Sequence, residues 1–350
     1  MRSLVLTLVC AAALHAQHPA AGAIRWDAWH GKQGVPGRAV EQALGPVEWH
    51  YRLPFFAKVV SDTEVSIDGT SQETMDREIA YASGAGLDYW AFVTYDDGDP
   101  MSLGLKRYLS SSKRGDIGFC LITELSRWGT KASHTQISRY AALTMERGYQ
   151  KTADGRPLFY LGFLSEAEVE KAWGTAAELR RAVDEFRALV GNPYIVILDP
   201  NPAHGAKWKT LLGADAISAY AVSSGGSASP YSALAAYAEA FWDRCKATGS
   251  EVVPIVMSGW DRRPRVVNPV PWETYQKPGV GLDHYYRTGT PVEIAEHLRH
   301  AVDWIATNKT TAPAGLALVY AWNENDEGGW LTPTLDEGAA RLDAIRRVLR

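Results

Sequence analysis

The chain has 350 residues, of which 46% are hydrophobic and 22% charged, a globular balance that argues against a disordered chain. Its formal net charge of -4 gives no sign of the basic surface that nucleic acid requires, nor of a strong acidic field. A neutral or weakly charged partner fits best. Thirteen Trp and sixteen Tyr exceed what a core needs, and such rings suit amphipathic ligands such as sugars.

The first residues have the pattern of a secretory signal. Arg2 supplies a minimal positive region, residues 4–14 are apolar, and a small residue suited to cleavage follows. We expect a signal peptide over residues 1–16, with cleavage as late as residue 23 as the alternative. The apolar run is too short to span a bilayer. We therefore expect a secreted or periplasmic protein without a membrane span, and a mature catalytic domain over residues 24–350.

Eight short apolar runs alternate with helical patterns along the chain. They cover residues 23–29, 87–95, 117–123, 156–163, 193–199, 214–222, 251–257 and 314–322. Alternation of strand and helix predicts parallel strands, because each return needs a crossover, and continuous apolar runs indicate burial on both faces. We therefore predict a single-domain α/β fold, a closed (β/α)8 TIM barrel, whose usual length is about 250 residues.

The remaining length fits two long loop insertions. One covers residues 31–70 after strand one, and the other covers residues 259–289 after strand seven. Both would lie over the C-terminal mouth of the barrel, where active sites of this architecture are built. The alternative fold is an open doubly wound sheet, which more often carries a glycine-rich phosphate turn after strand one, and the sequence shows none.

Residues that directly follow each barrel strand share one rim, whatever their separation in sequence. The candidate side chains at and beside this rim are acids, one amide and aromatic rings: Asp27, Trp29, Glu124, Trp128, Tyr220, Trp260, Asp261, Trp322, Asn323, Glu324, Asp326, Glu327 and Trp330. Without Cys/His clusters, such a set is typical of glycoside chemistry, in which an acid and a base flank an acetal carbon. We expect no metal and no organic cofactor.

The strongest candidates are Glu324 and Glu327, which follow the last apolar run. Residues three apart point to opposite faces of an extended strand, but a turn at Gly328 and Gly329 lets both carboxylates converge on one pocket. Neighbouring carboxylates raise one another's pKa, so that one keeps its proton near neutral pH while the other is ionised. This pattern predicts an acid/base pair.

Other acidic positions have two interpretations each. Glu124 interrupts an apolar strand, which fits either a functional role or an ion pair with Arg127. Residues 96–99 are typical of a turn closed by side-chain hydrogen bonds, with calcium binding as the alternative. Asp199 stands before Pro200, which indicates a turn residue rather than a catalytic one.

YAWNENDEGGWLTP, at residues 320–333, resembles the W-N-E-W-x-E-G-x-x-L-E-P signature of glycoside hydrolase family 99 and of the related WbsX-type domains. IDGTSQETMDREI at 67–79 and FCLITELSRW at 119–128 are similar to further segments of that group. VPIVMSGWDRRPR at 253–265 is similar to its P-G-W-D-x-x-x-R stretch. These matches occur in barrel order over about residues 24–335. The resemblance implies a (β/α)8 barrel that cleaves glycosidic bonds with retention of configuration.

The resemblance also implies roles for individual residues. In family 99 the first glutamate of E-x-x-E acts as a base on the 2-hydroxyl of the sugar, which attacks the anomeric carbon and forms a 1,2-anhydro sugar. The second glutamate protonates the leaving oxygen and later activates water. Glu324 would take the first role and Glu327 the second, on a poly- or oligosaccharide. Glu124, Trp260 and Asp261 would line the sugar subsites.

The sequence departs from the family signature at three positions. Asn325 stands where tryptophan is usual, Asp326 where glycine or histidine is usual, and Thr332 where glutamate is usual. Asp326 adds a third acid, which either shifts the pKa of a neighbour or replaces one glutamate, so mannan-type specificity does not carry over. Two alternatives remain, a catalytically silent carbohydrate-binding barrel and a polysaccharide-assembly protein. The expected export disfavours the second, because activated sugar nucleotides are cytoplasmic.

Overall fold

The computed structural model describes residues 18–30 and 34–350. The expected signal peptide over residues 1–16 lies outside these ranges. The first strand begins at Ala20, so removal of residues 1–16 leaves it whole, whereas a cut after residue 23 removes most of it. We therefore keep the earlier cleavage point as the prediction.

The described residues form thirteen strands and twelve α-helices. The strands are β1 (Ala20–Arg25), β2 (Ala57–Ser61), β3 (Glu64–Ile67), β4 (Tyr89–Val93), β5 (Gly118–Glu124), β6 (Leu158–Gly162), β7 (Tyr194–Leu198), β8 (Ala216–Ser218), β9 (Glu251–Val252), β10 (Ile255–Met257), β11 (Leu316–Tyr320), β12 (Asn323–Glu324) and β13 (Gly329–Trp330).

The α-helices vary in length from one turn to five. They are α1 (Val35–Leu44), α2 (Gln72–Gly84), α3 (Leu103–Ser110), α4 (Leu125–Trp128), α5 (Thr135–Thr144), α6 (Glu166–Trp173), α7 (Ala176–Val190), α8 (Pro202–Leu212), α9 (Tyr231–Ala247), α10 (Arg263–Val267), α11 (Pro291–Thr307) and α12 (Ala340–Leu349). Three 3-10 turns cover Val47–Arg52, Pro100–Ser102 and Asn325–Glu327. None of the helices in these ranges is long and apolar enough to cross a membrane.

Nine strands form one parallel sheet, in the order β10, β11, β1, β4, β5, β6, β7, β8, β9. The chain itself joins the two ends of this sheet, because only Val253 and Pro254 separate β9 from β10. Pro254 has no N–H to donate, so the strand breaks there, and β9 pairs with β8 while β10 pairs with β11. The sheet therefore closes around eight positions. This confirms the predicted (β/α)8 barrel and excludes the open doubly wound sheet.

Each of the eight predicted runs overlaps a barrel strand, but the first was placed too late, because β1 begins at Ala20 and ends at Arg25. β4, β6, β7 and β11 are buried at every residue, which explains why their sequences are continuously apolar rather than alternating. Inside the barrel the Tyr89 and Tyr160 hydroxyls are hydrogen-bonded at 2.9 Å. Gly22 on β1 makes room for this pair, since a Cβ there would lie 2.2 Å from the Tyr89 ring.

Two long segments lie at the C-terminal mouth of the barrel. Residues 34–70 contain α1, a 3-10 turn and the antiparallel pair of β2 and β3, before α2 begins. Residues 259–289 contain α10 and otherwise irregular chain. The segments contact each other, because Arg52 Nη1 donates a hydrogen bond of 2.9 Å to the Asp261 carbonyl oxygen. Together they form part of the wall around the mouth.

Candidate active site

Past β11 the chain turns back on itself at the mouth of the barrel. β12 and β13 pair antiparallel; Glu324 ends β12, and the 3-10 turn between the two strands carries Asp326 and Glu327. Gly328 closes this turn with a φ of 85°, and a Cβ there would lie 2.5 Å from the backbone nitrogen of Asp261. Only glycine fits both constraints. As a result, Glu324 and Glu327 line the same cavity.

The cavity has a volume of 880 Å³, within the range of about 300–1,000 Å³ that is usual for ligand sites. Its wall combines aromatic rings, acids and arginines, among them Trp26, Tyr95, Glu124, Arg127, Phe163, Glu168, Asp199, Tyr220, Trp260, Arg262, Arg265, Trp272, Glu273, Tyr275, Glu324 and Glu327. Flat apolar surfaces beside hydrogen-bonding groups suit a ligand with apolar faces and a polar edge, as sugars have.

Arg265, on α10, lies buried between the acidic side chains of the turn. Its Nη1 donates a hydrogen bond to Glu327 Oε1, and its Nη2 lies 3.6 Å from Glu324 Oε2. Its Nε donates to Asp326 Oδ2 at 2.6 Å. Burial opposes the charge of the guanidinium, but the three carboxylates outweigh this effect and raise the pKa of Arg265 above its usual value. The buried guanidinium of Arg265 therefore contacts three acidic side chains, those of Glu324, Asp326 and Glu327.

Glu327 has the more cationic surroundings of the two glutamates. Its Oε1 accepts from Arg265 and lies 3.1 Å from Arg262 Nε, while its Oε2 accepts from the Tyr320 hydroxyl. Burial alone would raise its pKa. The two arginines and the hydroxyl outweigh burial, so the pKa of Glu327 lies below its usual value. Glu327 is therefore ionised at neutral pH.

Glu324 lies in the same cavity with weaker support for a charge. Its Oε1 accepts a hydrogen bond of 2.6 Å from the Tyr220 hydroxyl, and Arg265 is no nearer than the 3.6 Å contact. Burial and the nearby charges of Glu327 and Asp326 raise the pKa of Glu324 well above its usual value. The surroundings of Glu324 therefore favour its protonated form, in contrast to those of Glu327.

This order of protonation is the opposite of the one that the family resemblance implies. A base on the sugar must be ionised and an acid must carry a proton, yet here Glu327 is the ionised residue and Glu324 the protonated one. The physical reason is the position of the two arginines, which both contact Glu327 Oε1.

Asp326 lies behind the cavity wall rather than in it. Its side chain is buried, and its Oδ2 is held by Arg265 Nε at 2.6 Å. The expectation that it contacts substrate is therefore corrected. Of the two roles considered for this third acid, the structure favours an effect on a neighbour, because the charge of Asp326 helps to raise the pKa of Glu324.

Three more of the predicted residues reach the cavity wall: Glu124, Tyr220 and Trp260. Tyr220 orients Glu324, while Trp260 lies with its ring centroid 5.6 Å from that of Tyr320. Glu124 Oε2 lies 3.6 Å from Arg127 Nη2, and both side chains line the cavity. The ion-pair interpretation of Glu124 is therefore confirmed, and a functional role stays a prediction that its place in the cavity wall allows.

Four tryptophans expected to bind substrate lie in the core instead: Trp29, Trp128, Trp322 and Trp330. Trp128 contacts Phe159 and Phe186, with ring centroids at 5.4 and 5.2 Å. The Trp322 Nε1 donates to Glu78 at 2.8 Å. The Arg341 guanidinium lies over Trp330, 3.6 Å from the ring centroid. These four large rings stabilise the fold by burial in the core and do not lie exposed at the rim of the barrel.

Asp27 and Asn323 also lie beneath the cavity. Asp27 Oδ1 accepts from Arg25 Nε at 2.7 Å, so its charge is already paired. Asn323 Oδ1 accepts from the backbone N–H of Trp26 at 2.8 Å. This bond fixes the chain at Trp26, whose ring does line the cavity. The expectation of direct substrate contact is corrected to a positioning role for both residues.

Asp261 is held by arginines on the far side of the turn. Arg263 donates to its two oxygens at 2.9 and 2.7 Å, and Arg52 Nη2 donates to Oδ2. Burial would raise the pKa of Asp261, but these cations outweigh burial and lower it. Asp261 does not line the cavity, so its expected place in a sugar subsite is corrected as well. It ties residues 259–289 to residues 34–70.

The remaining acidic positions behave as turn residues. Asp99 Oδ1 accepts from the Met101 N–H at 2.8 Å, and the Asp99 N–H donates to the Asp96 carbonyl at 2.9 Å. Asp199 Oδ1 accepts from the Asn201 N–H at 2.8 Å. The turn interpretations are confirmed. Over residues 18–30 and 34–350, no group of three or more His, Cys, Asp or Glu side chains is arranged to hold a metal ion.

Several cavity residues were missed by the sequence interpretation: Trp26, Tyr95, Arg127, Phe163, Arg262, Arg265, Trp272, Glu273 and Tyr275. One signal was present, because Arg265 is the final residue of the segment that resembles P-G-W-D-x-x-x-R. Trp272 and Tyr275 lie in irregular chain, where no periodicity indicates which side chains turn inwards.

Comparison with known proteins gives a match in structure alone. No family model and no curated protein matches the chain. Two structures of the GH99 endo-alpha-mannosidase from Bacteroides thetaiotaomicron, one in complex with Bis-Tris propane, match with a TM-score of 0.56 each. Each match covers 95% of this chain and 96% of the other, at 13% and 14% sequence identity.

The chain is similar in fold to this GH99 enzyme. The resemblance that the sequence motifs indicated is thus confirmed at the level of the barrel. At such low identity the comparison shows the fold alone, and the chemistry of the site rests on the residues of this chain.

Proposed function

We propose that the protein is a glycoside hydrolase acting on a poly- or oligosaccharide. One observation carries this proposal: two buried carboxylates, Glu324 and Glu327, face one aromatic-lined cavity and share contacts with Arg265, and their surroundings raise the pKa of the first and lower that of the second. Cleavage of an acetal needs a proton for the leaving oxygen and a base on the other reacting group. The pair supplies both, and the similarity in fold to an endo-alpha-mannosidase supports the same assignment.

In the proposed mechanism, the ionised Glu327 takes the proton of the sugar's 2-hydroxyl as that oxygen attacks the anomeric carbon. The bond to the leaving oxygen breaks, and this oxygen takes the proton of Glu324. The product is a 1,2-anhydro sugar. Glu324, now ionised, takes a proton from a water that opens this ring, and Glu327 returns its proton to the 2-oxygen. Two inversions at the anomeric carbon give net retention.

Two tyrosines keep the glutamates in position during these steps. Tyr220 donates to Glu324 Oε1 and leaves Oε2 on the side of Arg265, while Tyr320 donates to Glu327 Oε2. Tyr320 is buried and Tyr220 is partly buried, and burial raises the pKa of both phenols well above the usual value, so they stay protonated donors. Each phenol therefore fixes one oxygen of its carboxylate, while Oε1 of Glu327 is also contacted by Arg262 and Arg265.

The test is a panel of purified plant and microbial polysaccharides, with products resolved by mass spectrometry. α-Mannans come first, because the structurally similar enzyme is an endo-alpha-mannosidase. We expect release of saccharides from at least one polymer, and proton NMR of the first products should show the retained anomer. Release that proceeds equally fast in Glu324→Gln would contradict the assignment.

A second candidate function is a carbohydrate-binding barrel without catalysis. It is favoured by the ion pairs that Arg262 and Arg265 form with Glu327, because a carboxylate stabilised by two cations is a weaker base. Calorimetry that detects glycan binding, together with no cleavage over several days, would support this candidate over the hydrolase.

We further propose that the protein is exported, since residues 1–16 have the pattern of a secretory signal. N-terminal sequencing of the protein from its natural host should begin at Gln17. A mature protein that retains residues 1–16 would contradict export by this signal.

A further inference from the structure

Phe163 combines two unfavourable properties at one position of the cavity wall. It directly follows Gly162, the last residue of β6, and its backbone has a φ of 57°, in the left-handed region that a Cβ disfavours. Its side chain is 50% exposed, although the next residue, Leu164, is buried. The residue therefore adopts an unfavourable backbone conformation, and the partial burial of its ring does little to offset that cost.

Other residues with positive φ are smaller or better suited to it. Over residues 18–30 and 34–350, the remaining non-glycine cases are Asn192, Ser227 and Ala228. Asparagine tolerates the left-handed region through local hydrogen bonds, and serine and alanine carry small side chains. Phe163 is the bulky case among them, and strained residues of this kind cluster at ligand sites.

The location of the ring points to the reacting groups. The Phe163 ring lines the cavity with its centroid 5.5 Å from that of Tyr220. The Tyr220 hydroxyl in turn donates to Glu324 Oε1 at 2.6 Å. One side chain therefore separates Phe163 from the proton donor of the proposed mechanism. A sugar bound against this ring would lie beside Glu324.

We propose that Phe163 is a stacking surface for the apolar face of a pyranose ring in the unit next to the cleaved bond. The left-handed backbone conformation directs the Phe163 ring into the cavity, where the C–H face of a bound sugar covers it. This contact with the sugar is the function that the strained conformation serves. The proposal rests on the proposed function for the place of the cleaved bond. Its claim about binding, however, can be tested without cleavage.

The test compares Phe163→Gly with Ala228→Gly. Both substitutions place glycine at a left-handed position, which glycine adopts readily, but Ala228 does not line the cavity. We expect both variants to fold with a Tm at or above that of the parent. Phe163→Gly should bind polysaccharide about tenfold more weakly, as expected for loss of one aromatic contact, and Ala228→Gly should bind like the parent.

Binding is read by affinity electrophoresis in gels that contain yeast α-mannan, xylan, β-glucan or pectin, with Glu324→Gln as the parent so that no polymer is consumed. Glutamine keeps the neutral state that Glu324 has in the folded protein. Retardation that is weakened by Phe163→Gly and kept by Ala228→Gly supports the proposal. Equal retardation of the Phe163→Gly variant and the parent overturns it, and so does a parent that none of the four gels retards.

The same experiment separates this proposal from the hydrolase assignment. If a gel retards the parent but the unmodified protein does not cleave that polymer, hydrolysis fails and the stacking result still stands. If the polymer is cleaved and Phe163→Gly keeps the KM of the unmodified protein, stacking fails and hydrolysis stands.

Discussion

Two buried clusters of acids and arginines lie at the mouth of this barrel, and they differ in balance. In the first, Arg25 lies 2.7 Å from both Asp27 and Glu78, and His30 Nε2 lies 3.0 Å from Glu78. Burial would raise the pKa of Glu78, but Arg25 and His30 lower it to about 2. Every charge there has a partner. We call this set, with Trp322, the closed cluster.

The second cluster consists of Arg262, Arg265, Glu273, Glu324, Asp326 and Glu327, and we call it the open cluster. It holds four acids and two arginines, and it borders the cavity. The cations favour Glu327, so Glu324 is left with a raised pKa and a proton. A surplus of acid over base therefore leaves one carboxyl group of the open cluster with a raised pKa, whereas the balanced closed cluster lowers the pKa of Glu78.

The largest effect should come from Glu324→Gln in the open cluster. Loss of the proton donor should lower kcat/KM by about 10²–10⁴-fold, as is typical for removal of general acid catalysis. Tm should stay close to the wild-type value, because glutamine replaces a neutral carboxyl group of nearly the same shape. Kinetics on the polymer identified in the panel, with calorimetry of the same samples, checks both points.

The matched change in the closed cluster should act on stability. Glu78→Gln removes one of the two carboxylate partners of the buried Arg25 and should lower the free energy of unfolding by about 3–5 kcal/mol. Urea unfolding measures the loss, with Glu170→Gln on the exposed side of α6 as the control. A Glu78→Gln protein as stable as this control would show that the closed cluster does not stabilise the fold.

Acid unfolding gives a further check on the closed cluster. The pKa of Glu78 is about 2 in the folded protein, below its usual value of 4.5, so its contribution to stability is fully present above about pH 4.5. That contribution should be lost as the pH falls through this window towards 2. The stability of Glu78→Gln should depend less on pH between these values, as urea unfolding at several pH values would show.

The dependence of activity on pH should report the open cluster. Activity needs Glu327 ionised and Glu324 protonated, so kcat/KM should fall at low pH as Glu327 gains a proton, below its usual pKa of 4.5. It should fall again at high pH as Glu324 loses its proton, well above 4.5. A profile that already declines on the alkaline side near pH 5 would contradict the raised pKa of Glu324.

The smallest expected effect is that of Asp326→Asn. Its charge is one of the causes that raise the pKa of Glu324, so its removal should shift the alkaline limb of the pH profile to lower pH. The control is Asp62→Asn, which changes an exposed acid in the turn between β2 and β3. If the alkaline limbs of the pH profiles of the two variants coincide, the charge of Asp326 has no influence on the pKa of Glu324.

The barrel and the convergence of Glu324 and Glu327 on one cavity could be predicted from the sequence for definite reasons. Buried parallel strands require continuous apolar runs, and the pair Gly328 and Gly329 indicated the turn that brings Glu324 and Glu327 into one cavity. The direction of side chains at strand ends has no such pattern. Trp128 packs behind the barrel, whereas Trp260 lines the cavity, although both follow a strand closely.

The protonation order was beyond sequence because it depends on which carboxylate the arginines touch. Arg262 and Arg265 are more than fifty residues from Glu327 along the chain, and only the fold shows that both contact its Oε1. Asp261 was expected to line a sugar subsite. Arg263, its near neighbour along the chain, instead donates hydrogen bonds to both of its carboxylate oxygens. Side-chain contacts such as these depend on the conformation of irregular loops, which the periodicity of the sequence does not indicate.

The most direct test is carbon-13 NMR of protein labelled at the glutamate side-chain carboxyl carbons, with Glu324→Gln to assign the signal. We predict that one glutamate carboxyl stays protonated at pH 7, that it titrates well above the usual value, and that its signal is absent in Glu324→Gln. A Glu324 carboxyl that is ionised at pH 7, with a pKa near 4.5, would contradict the account of the acid/base pair.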